Sequence, residues 1–130
     1  MTHRLVHEVI GIYDADGSVV GEVVYALKKL AGRAHCALCD LTHRGLRRRP
    51  EFAAALPRLG VPFTLLHRDE RSPEMAALSA DRTPMVLGRI DDGLIVLLSA
   101  EDLERCDADP DAMITAIEAA IAVLGLRLAS

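Results

Sequence analysis

The stretch TPMVLGRIDDGLIVLL, residues 83–98, decides how the chain folds. Two apolar runs, Pro84–Ile90 and Leu94–Leu98, flank the acidic and glycine-containing segment Asp91–Gly93. An Asp-Gly pair between two such runs favours a tight turn, because glycine accepts the positive φ that short hairpin turns require. The stretch therefore predicts an antiparallel β-hairpin.

Strand and helix signals alternate on both sides of this hairpin. Short β-branched or apolar runs bounded by turn residues predict strands, and apolar residues at spacings of three and four predict helices. The predicted strands are Val9–Tyr13, Ala34–Leu41 and Val61–His67, and the predicted helices are Ser18–Ala31, Pro50–Leu59, Ser72–Ala80 and a last helix from Asp109 or Pro110 to Leu124. In a second register, a helix starts at Cys36 after a very short strand over Arg33–His35. The order β-α-β-α-β-α-β-β-α indicates a single α/β domain over residues 1–130.

This order resembles the thioredoxin fold, which has a β-α-β unit, a connecting helix, a β-hairpin and a terminal helix. The resemblance implies a central mixed sheet of about four strands with helices on both faces. The dipeptide Thr83-Pro84 stands at the start of the hairpin, where that fold keeps a cis-proline beside its active site. The resemblance therefore also implies a cis peptide bond at Pro84.

The start of the chain resembles a more specific group within that fold. The segment Ile12–Asp16 (Ile-Tyr-Asp-Ala-Asp), followed by Glu22-Val23 and Leu27, is similar to the opening of the thiol-disulfide oxidoreductases known by their DCC signature. Members of that family carry Cys-x-x-Cys at the start of the first helix. Here the matching positions, Gly17–Val20, read Gly-Ser-Val-Val, so the dithiol is absent from its usual place.

A second chemical feature is the cluster HCALCDLTH at residues 35–43, which contains His35, Cys36, Cys39 and His43. Thiolate and imidazole are the side chains that bind soft and borderline metal ions, and Cys39 and His43 have a spacing that zinc sites use. His67 ends a predicted strand, and ligands of open α/β sheets collect at the carboxyl ends of strands. The leading prediction is a protein that binds a metal ion or metal cofactor through these residues, with zinc as the first choice and copper or iron as alternatives.

Three other interpretations of the chain stay open, two of which concern the same cysteines. Cys36 and Cys39 are small enough to be buried apolar residues of a central strand. They also form a Cys-x-x-Cys pair, which predicts a thiol-disulfide oxidoreductase if a turn at Ala37-Leu38 brings the sulfurs together. The lost dithiol at Gly17–Val20 suggests instead a degenerate module that acts by protein contact. Whether the protein is an enzyme is left open at this point.

Apolar residues beyond one core-facing stripe indicate a second copy as partner. Val19, Val20 and Val24 cover more of the first predicted helix than a single core contact needs, so we expect at least a weak homodimer. Cys106, far along the chain, is predicted to be a lone, partly buried thiol. The arginines between Arg44 and Arg49 suit either an anionic ligand or, more simply, a solvated connection.

Composition excludes several classes of partner. The chain has 130 residues, 51% of them hydrophobic, a net charge of −4, no Trp, two Phe and two Tyr. A negative charge and scarce aromatic residues give no support to nucleic-acid binding. No apolar run approaches the roughly 18–20 residues of a membrane span, and the amino-terminal residues do not resemble a secretory signal. We therefore expect a cytoplasmic protein with reduced thiols, since three cysteines do not make a disulfide framework.

Overall fold

The computed structural model of the chain describes residues 4–14, 37–44 and 47–129. In chain order the elements are β1 (Arg4–Val6), β2 (Glu8–Ile12), α1 (Ala37–Thr42), β3 (His43–Arg44), β4 (Arg47–Arg48), α2 (Pro50–Ala55), β5 (Phe63–Leu66), α3 (Pro73–Ser79), β6 (Met85–Ile90), β7 (Gly93–Leu98), α4 (Ala100–Arg105), α5 (Pro110–Val123) and β8 (Leu126–Leu128). Short 3-10 turns follow α2 at Leu56–Arg58 and β5 at Arg68–Glu70. Within the described ranges, no helix has the length and apolar character that crossing a membrane would take.

Four strands form a mixed sheet in the order β5-β2-β6-β7. β5 runs parallel to β2, β6 is antiparallel to β2, and β7 is antiparallel to β6. β1 and β8 form a separate small parallel sheet, and β3 and β4 pair as a short antiparallel ribbon. The chain is therefore a mixed α/β protein, as the order of its elements predicts.

Alternation of side chains along the strands gives the four-stranded sheet two apolar faces. The major face carries Val9 and Val86, and its cluster includes buried residues of α1, α2, α4 and α5. The minor face carries Ile10 and Leu87, which cluster with Met75 of α3. Helices therefore pack on both faces of the sheet.

Several local predictions from the sequence are confirmed. The hairpin β6–β7 turns at Asp91-Asp92, and the peptide bond between Thr83 and Pro84 is cis. α3 begins where the Ser72 hydroxyl accepts the Met75 N–H at 3.2 Å, as expected of a capping serine followed by proline. The predicted third strand and last helix correspond to β5 and α5.

The predicted strand over Ala34–Leu41 is wrong in its described part, because residues 37–42 form α1. Leu38 and Leu41 are three positions apart and both fully buried, which suits one face of a helix. Leu38 packs against Gly11 of β2, where an added Cβ would lie 3.1 Å from Leu38 Cδ2. A short apolar run fits a buried strand and a buried helical turn equally well, so its pattern did not separate the two. The parallel neighbour of β2 is β5 instead.

Some described elements were not predicted, and some predicted segments lie outside the described residues. α4 was not predicted, although Ser99 and Asp102 form a capping box: the Ser99 hydroxyl accepts the Asp102 N–H at 3.2 Å and the Asp102 carboxylate accepts the Ser99 N–H at 2.9 Å. β1 and β8 have three residues each and too little pattern to be recognised. The predicted helix over Ser18–Ala31 lies outside the described residues, and with it the valines on which the predicted homodimer rests. Residues 34–36 lie outside them as well.

Candidate functional site

The helix α1 carries Cys39 on the major face of the sheet. Leu38 and Leu41 on either side of Cys39 are fully buried, whereas Cys39 itself is half-buried at the margin of the core. Cys36 immediately precedes the first residue of α1, and His43 immediately follows its last residue. Of this segment, Cys39 therefore lies on a helix and not on a strand.

Thr42 fixes the end of this helix against β2. Its side chain is fully buried, and its hydroxyl donates a hydrogen bond to the Leu38 carbonyl at 3.1 Å. The Tyr13 hydroxyl lies 2.9 Å from the Thr42 hydroxyl. Because the Thr42 proton is used on Leu38, Tyr13 is the donor in this second bond. The Thr42 carbonyl accepts the Arg49 N–H at 2.8 Å, which closes the β3–β4 ribbon that begins at His43.

Tyr13 also contacts the residue that directly follows β5. Its ring centroid lies 5.3 Å from that of His67, with the two rings tilted by 48°. The Tyr13 N–H donates to the Leu66 carbonyl at 2.8 Å, which keeps the ends of the two parallel strands level. The carboxyl ends of β2 and β5, where open α/β sheets bind ligands, therefore meet at Tyr13 and His67.

Glu70 holds His67 in place. Its Oε1 accepts the His67 backbone N–H at 2.7 Å and lies 2.8 Å from His67 Nδ1. These two hydrogen bonds, the backbone one first, lower the pKa of Glu70 below its ordinary value. An ionised carboxylate only accepts hydrogen bonds, so Nδ1 carries the proton and a neutral His67 ring has its lone pair on Nε2.

Asp14 joins the same edge to the start of the hairpin. Its Oδ1 accepts a hydrogen bond from the Thr83 hydroxyl at 2.9 Å and lies 3.5 Å from an Arg68 guanidinium nitrogen. Asp14 therefore ties the end of β2 to the segments that precede β6 and follow β5. The residues that converge at this place, called the carboxyl-edge cluster below, are Tyr13, Asp14, Thr42, His67, Glu70 and Thr83.

The structure describes some of the ligands predicted from the sequence and not others. Cys39 lies on α1, and His43 is the first residue of β3, described in its backbone. His67 belongs to the carboxyl-edge cluster, whereas His35 and Cys36 lie outside the described residues. Among the residues that are described, no three His, Cys, Asp or Glu side chains are grouped so as to hold a metal ion.

Sequence reasoning missed most of the carboxyl-edge cluster. Asp14 was explained by the turn after the first strand, and Tyr13 by the strand itself. The available signal was position, since Tyr13-Asp14 and His67 each directly follow a strand of a parallel pair. Glu70 was not recognised, because the 3-10 turn that brings it to His67 has no strong sequence pattern.

Cys106 is separate from this site. Its thiol is buried at the end of α4 and donates to the Asp102 carbonyl, with the sulfur 3.4 Å from the oxygen. Burial, and then the carboxylates of Asp102 and Asp109, raise the pKa of the Cys106 thiol. The prediction of a lone, partly buried thiol agrees with this position, and a raised pKa disfavours reaction as a thiolate.

Arg49 has a structural role in the described residues. Its guanidinium donates to the Ala108 carbonyl at 2.6 Å and its side chain is 13% exposed. This contact joins the arginine-rich connection to the loop between α4 and α5, which fits a structural connection better than a dedicated anion site.

No family model, no curated protein and no solved structure matches the chain. The evidence for its function therefore lies in its own residues. The carboxyl-edge cluster offers an imidazole, two carboxylates and three hydroxyl groups beside the helix that carries Cys39. Such groups bind cations and polar ligands.

Proposed function

We propose that the protein is a thioredoxin-like domain that binds a metal ion or metal cofactor through Cys36, Cys39 and His43. The observation that carries this proposal is that residues 37–42 form a helix. On a helix, side chains three and four positions apart lie on the same side, whereas a three-residue offset on a strand sends them to opposite faces. The Cys36–Cys39 and Cys39–His43 offsets are three and four, and the helix carries Cys39 and adjoins the other two residues in sequence. The helix supports the proposal because a strand at Cys39 would have opposed a shared ligand set.

The order and direction of the strands support the thioredoxin-like part of the proposal. The parallel pair β2–β5, the connecting helix α3, the hairpin β6–β7 and the terminal helix α5 follow the order of that fold. The second strand of the β-α-β unit is then β5, and the segment from α1 to α2 is additional structure within the crossover.

The chemistry of the donors favours zinc. Two thiolates and an imidazole are typical zinc ligands, while copper and iron also accept them. His67 is a candidate for a further ligand, because metal-binding histidines commonly donate their second ring N–H to a carboxylate, as His67 does to Glu70. His35 is the weaker candidate, since its neighbour Cys36 occupies the adjacent position.

Elemental analysis of the full chain, purified without a histidine tag or chelator, tests the metal site. We expect about one equivalent of zinc, retained on dilution, since structural zinc sites bind with about 10–16 kcal/mol. Cys39→Ser is expected to lose the metal, and Cys106→Ser is the matched control that keeps it. A metal content below about a tenth of an equivalent, unchanged after Zn²⁺ is added, would exclude the site.

Thiol-disulfide exchange by Cys36 and Cys39 is the second candidate function. The Cys-x-x-Cys spacing supports it, because cysteines three positions apart can approach each other where the backbone is helical, as it is at Cys39. Thiol titration of the wild type and of Cys36→Ser separates it from metal binding. If both thiols react only above the ordinary pKa of about 8.5 and no intramolecular disulfide forms, redox catalysis is excluded.

A further inference from the structure

The helix α5 carries apolar side chains on the side that points away from the core. Ala112, Ala116, Ala119 and Val123 fall within an arc of about 60°, since successive residues of a helix are about 100° apart. These four residues are called the outer stripe below. Val123 is 86% exposed, and Ala119 is exposed as well. A surface helix normally carries polar or charged residues on this side, so the outer stripe indicates a contact with another molecule.

A cleft adjoins the outer stripe. It has a volume of about 340 Å³ and lies between the end of β7, α4 and α5. Because an alanine side chain ends at Cβ, the alanines of α5 leave this space open. A cleft of this size accepts an apolar side chain from another molecule. Apart from the ion-paired Asp102 and Arg105, its lining consists of Leu97, Leu98, Cys106 and four alanines of α5.

The outer stripe is complementary to itself in one arrangement. If two copies of α5 pack antiparallel about a two-fold axis midway between residues 117 and 118, Ala116 lies opposite Ala119 of the other copy. In the same register, Val123 of each copy lies opposite Ala112 of the other, at the cleft. The most exposed of the large apolar side chains described therefore meets an open space lined by small residues. Alanines at the crossing also allow two helix axes to approach closely.

The charges at the two ends of α5 suit the same arrangement. Asp107, Asp109 and Asp111 are exposed around its amino end, and Arg127 is exposed just beyond its carboxyl end. Antiparallel packing brings each acidic end to the end of the partner helix that precedes Arg127, and it sets the two helix dipoles in opposite directions. Parallel packing would instead bring the two acidic ends together.

We propose that the outer stripe is the interface of a weak, two-fold symmetric homodimer in which Val123 of each copy enters the cleft of the other. A two-fold axis makes the same surface serve both copies, as the register of the stripe requires. The 14 residues of α5 extend only about 21 Å, so the contact buries less than the roughly 1,200–2,000 Å² of a stable interface. This inference does not depend on the proposed metal site.

Sedimentation equilibrium of the full chain, from about 5 to 500 μM and with a reducing agent, tests the interface. We expect reversible dimerisation with a Kd on the order of 10–100 μM, as suits a small interface. Ala119→Glu places a carboxylate of each copy in the contact, without a partner, so we expect the Kd to increase by about 10-fold or more.

Ala122→Glu is the matched control for this substitution. Ala122 is exposed on the same helix but lies about 100° from Val123, outside the outer stripe. The added charge is the same, and we expect the Kd to stay within about twofold of the wild-type value. Thermal melting establishes that each variant is folded.

Val123→Ser tests the same contact with little risk to folding. Its side chain is 86% exposed, so the melting temperature should not change, whereas the Kd should increase by about 3- to 10-fold.

A wild type that is monomeric at about 500 μM would overturn the proposal. Equal weakening by Ala119→Glu and Ala122→Glu would also overturn it, because added charge and not the outer stripe would then explain the loss. A dimer that Ala119→Glu leaves unchanged would place the contact on a different surface and would contradict this one.

Discussion

The two faces of the four-stranded sheet are built differently. The major face packs against buried residues of four described helices, among them Leu38 of α1 and Phe52 of α2, whereas the minor face packs against Met75 of α3. The helix that carries Cys39 belongs to the major face. Cys39 therefore lies on a helix of the larger core, and a densely packed core restrains the side chains that its helices carry.

The largest effect is expected on the free energy of unfolding, when one core residue of each face is replaced by alanine. Phe52 is fully buried and meets the Phe63 ring edge-on at 5.6 Å, so we expect Phe52→Ala to lower the free energy of unfolding by about 3–5 kcal/mol. Met75 is 7% exposed and has a flexible side chain, so Met75→Ala is expected to cost about 2 kcal/mol. Urea denaturation measures both. A cost for Met75→Ala equal to that of Phe52→Ala would show that the two faces contribute alike.

Two glycines on the major face allow a comparison between crowding beside α1 and crowding away from it. A Cβ at Gly11 would lie 2.9 Å from Leu65, 3.0 Å from Phe63 and 3.1 Å from Leu38. Such crowding typically costs about 1–3 kcal/mol, and here it would also push α1 away from β2. We therefore expect Gly11→Ala to lower both stability and zinc affinity.

Gly88→Ala is the control for this substitution. Its added Cβ would meet Leu97 at 3.1 Å and Val6 at 3.3 Å, away from α1. We expect a stability loss below about 1 kcal/mol, because the reduced entropy of the unfolded chain offsets part of the crowding. Unchanged zinc affinity in Gly11→Ala, with the stability loss present, would contradict the dependence of the site on the position of α1.

The two described thiols differ in their expected reactivity. Burial and neighbouring carboxylates raise the pKa of Cys106, so at any given pH its thiolate fraction and its alkylation rate are lower than those of an ordinary thiol. Cys39 is only half-buried and its sulfur is more accessible. Iodoacetamide labelling of metal-free protein from pH 6 to 10, followed by peptide mapping, should modify Cys39 first. Rapid labelling of Cys106 at pH 7 would contradict its placement in the major core.

The smallest expected effect concerns the cap of α4. The hydrogen bond from the Ser99 N–H is the main cause that lowers the pKa of Asp102. A carboxylate with a lowered pKa in the folded state stabilises the protein above its ordinary pKa, about 3.9, and loses this contribution as pH falls through the folded value. Asp102→Asn should therefore melt slightly below the wild type at pH 7, with the difference shrinking as pH falls below the ordinary aspartate pKa of about 3.9. A difference that widens in acid would reverse the assigned sign.

The sequence predicts some elements much better than others, for physical reasons. The hairpin around Asp91–Gly93 and the helix capped by Ser72 depend on local turn and cap chemistry, which the residues display directly. α1 was mistaken for a strand because its six residues are too few to show a period, and the packing of Leu38 beside Gly11 is a tertiary contact that the local sequence does not display. The strand β5 was recognised, yet its parallel pairing with β2 is a tertiary fact that no local pattern contains.

Some residues of the candidate site can also be predicted from the sequence, whereas others cannot. The sequence indicates the chemistry of Cys39 and His67, because thiol and imidazole are rare and specific ligands. It does not indicate Tyr13 or Thr42, since a tyrosine at a strand end and a threonine between Leu41 and His43 have many ordinary explanations. Their role emerges only when the fold brings α1 to the carboxyl ends of β2 and β5.

X-ray absorption at the zinc edge of the zinc-loaded full chain tests the central claim most directly. We expect a four-coordinate ion with two sulfur neighbours at about 2.3 Å and imidazole nitrogen at about 2.0–2.1 Å. Cys39→Ser should lose the zinc and with it this spectrum, and Cys106→Ser should leave the first shell unchanged. A first shell of oxygen and nitrogen without sulfur would contradict a metal site built on Cys36 and Cys39.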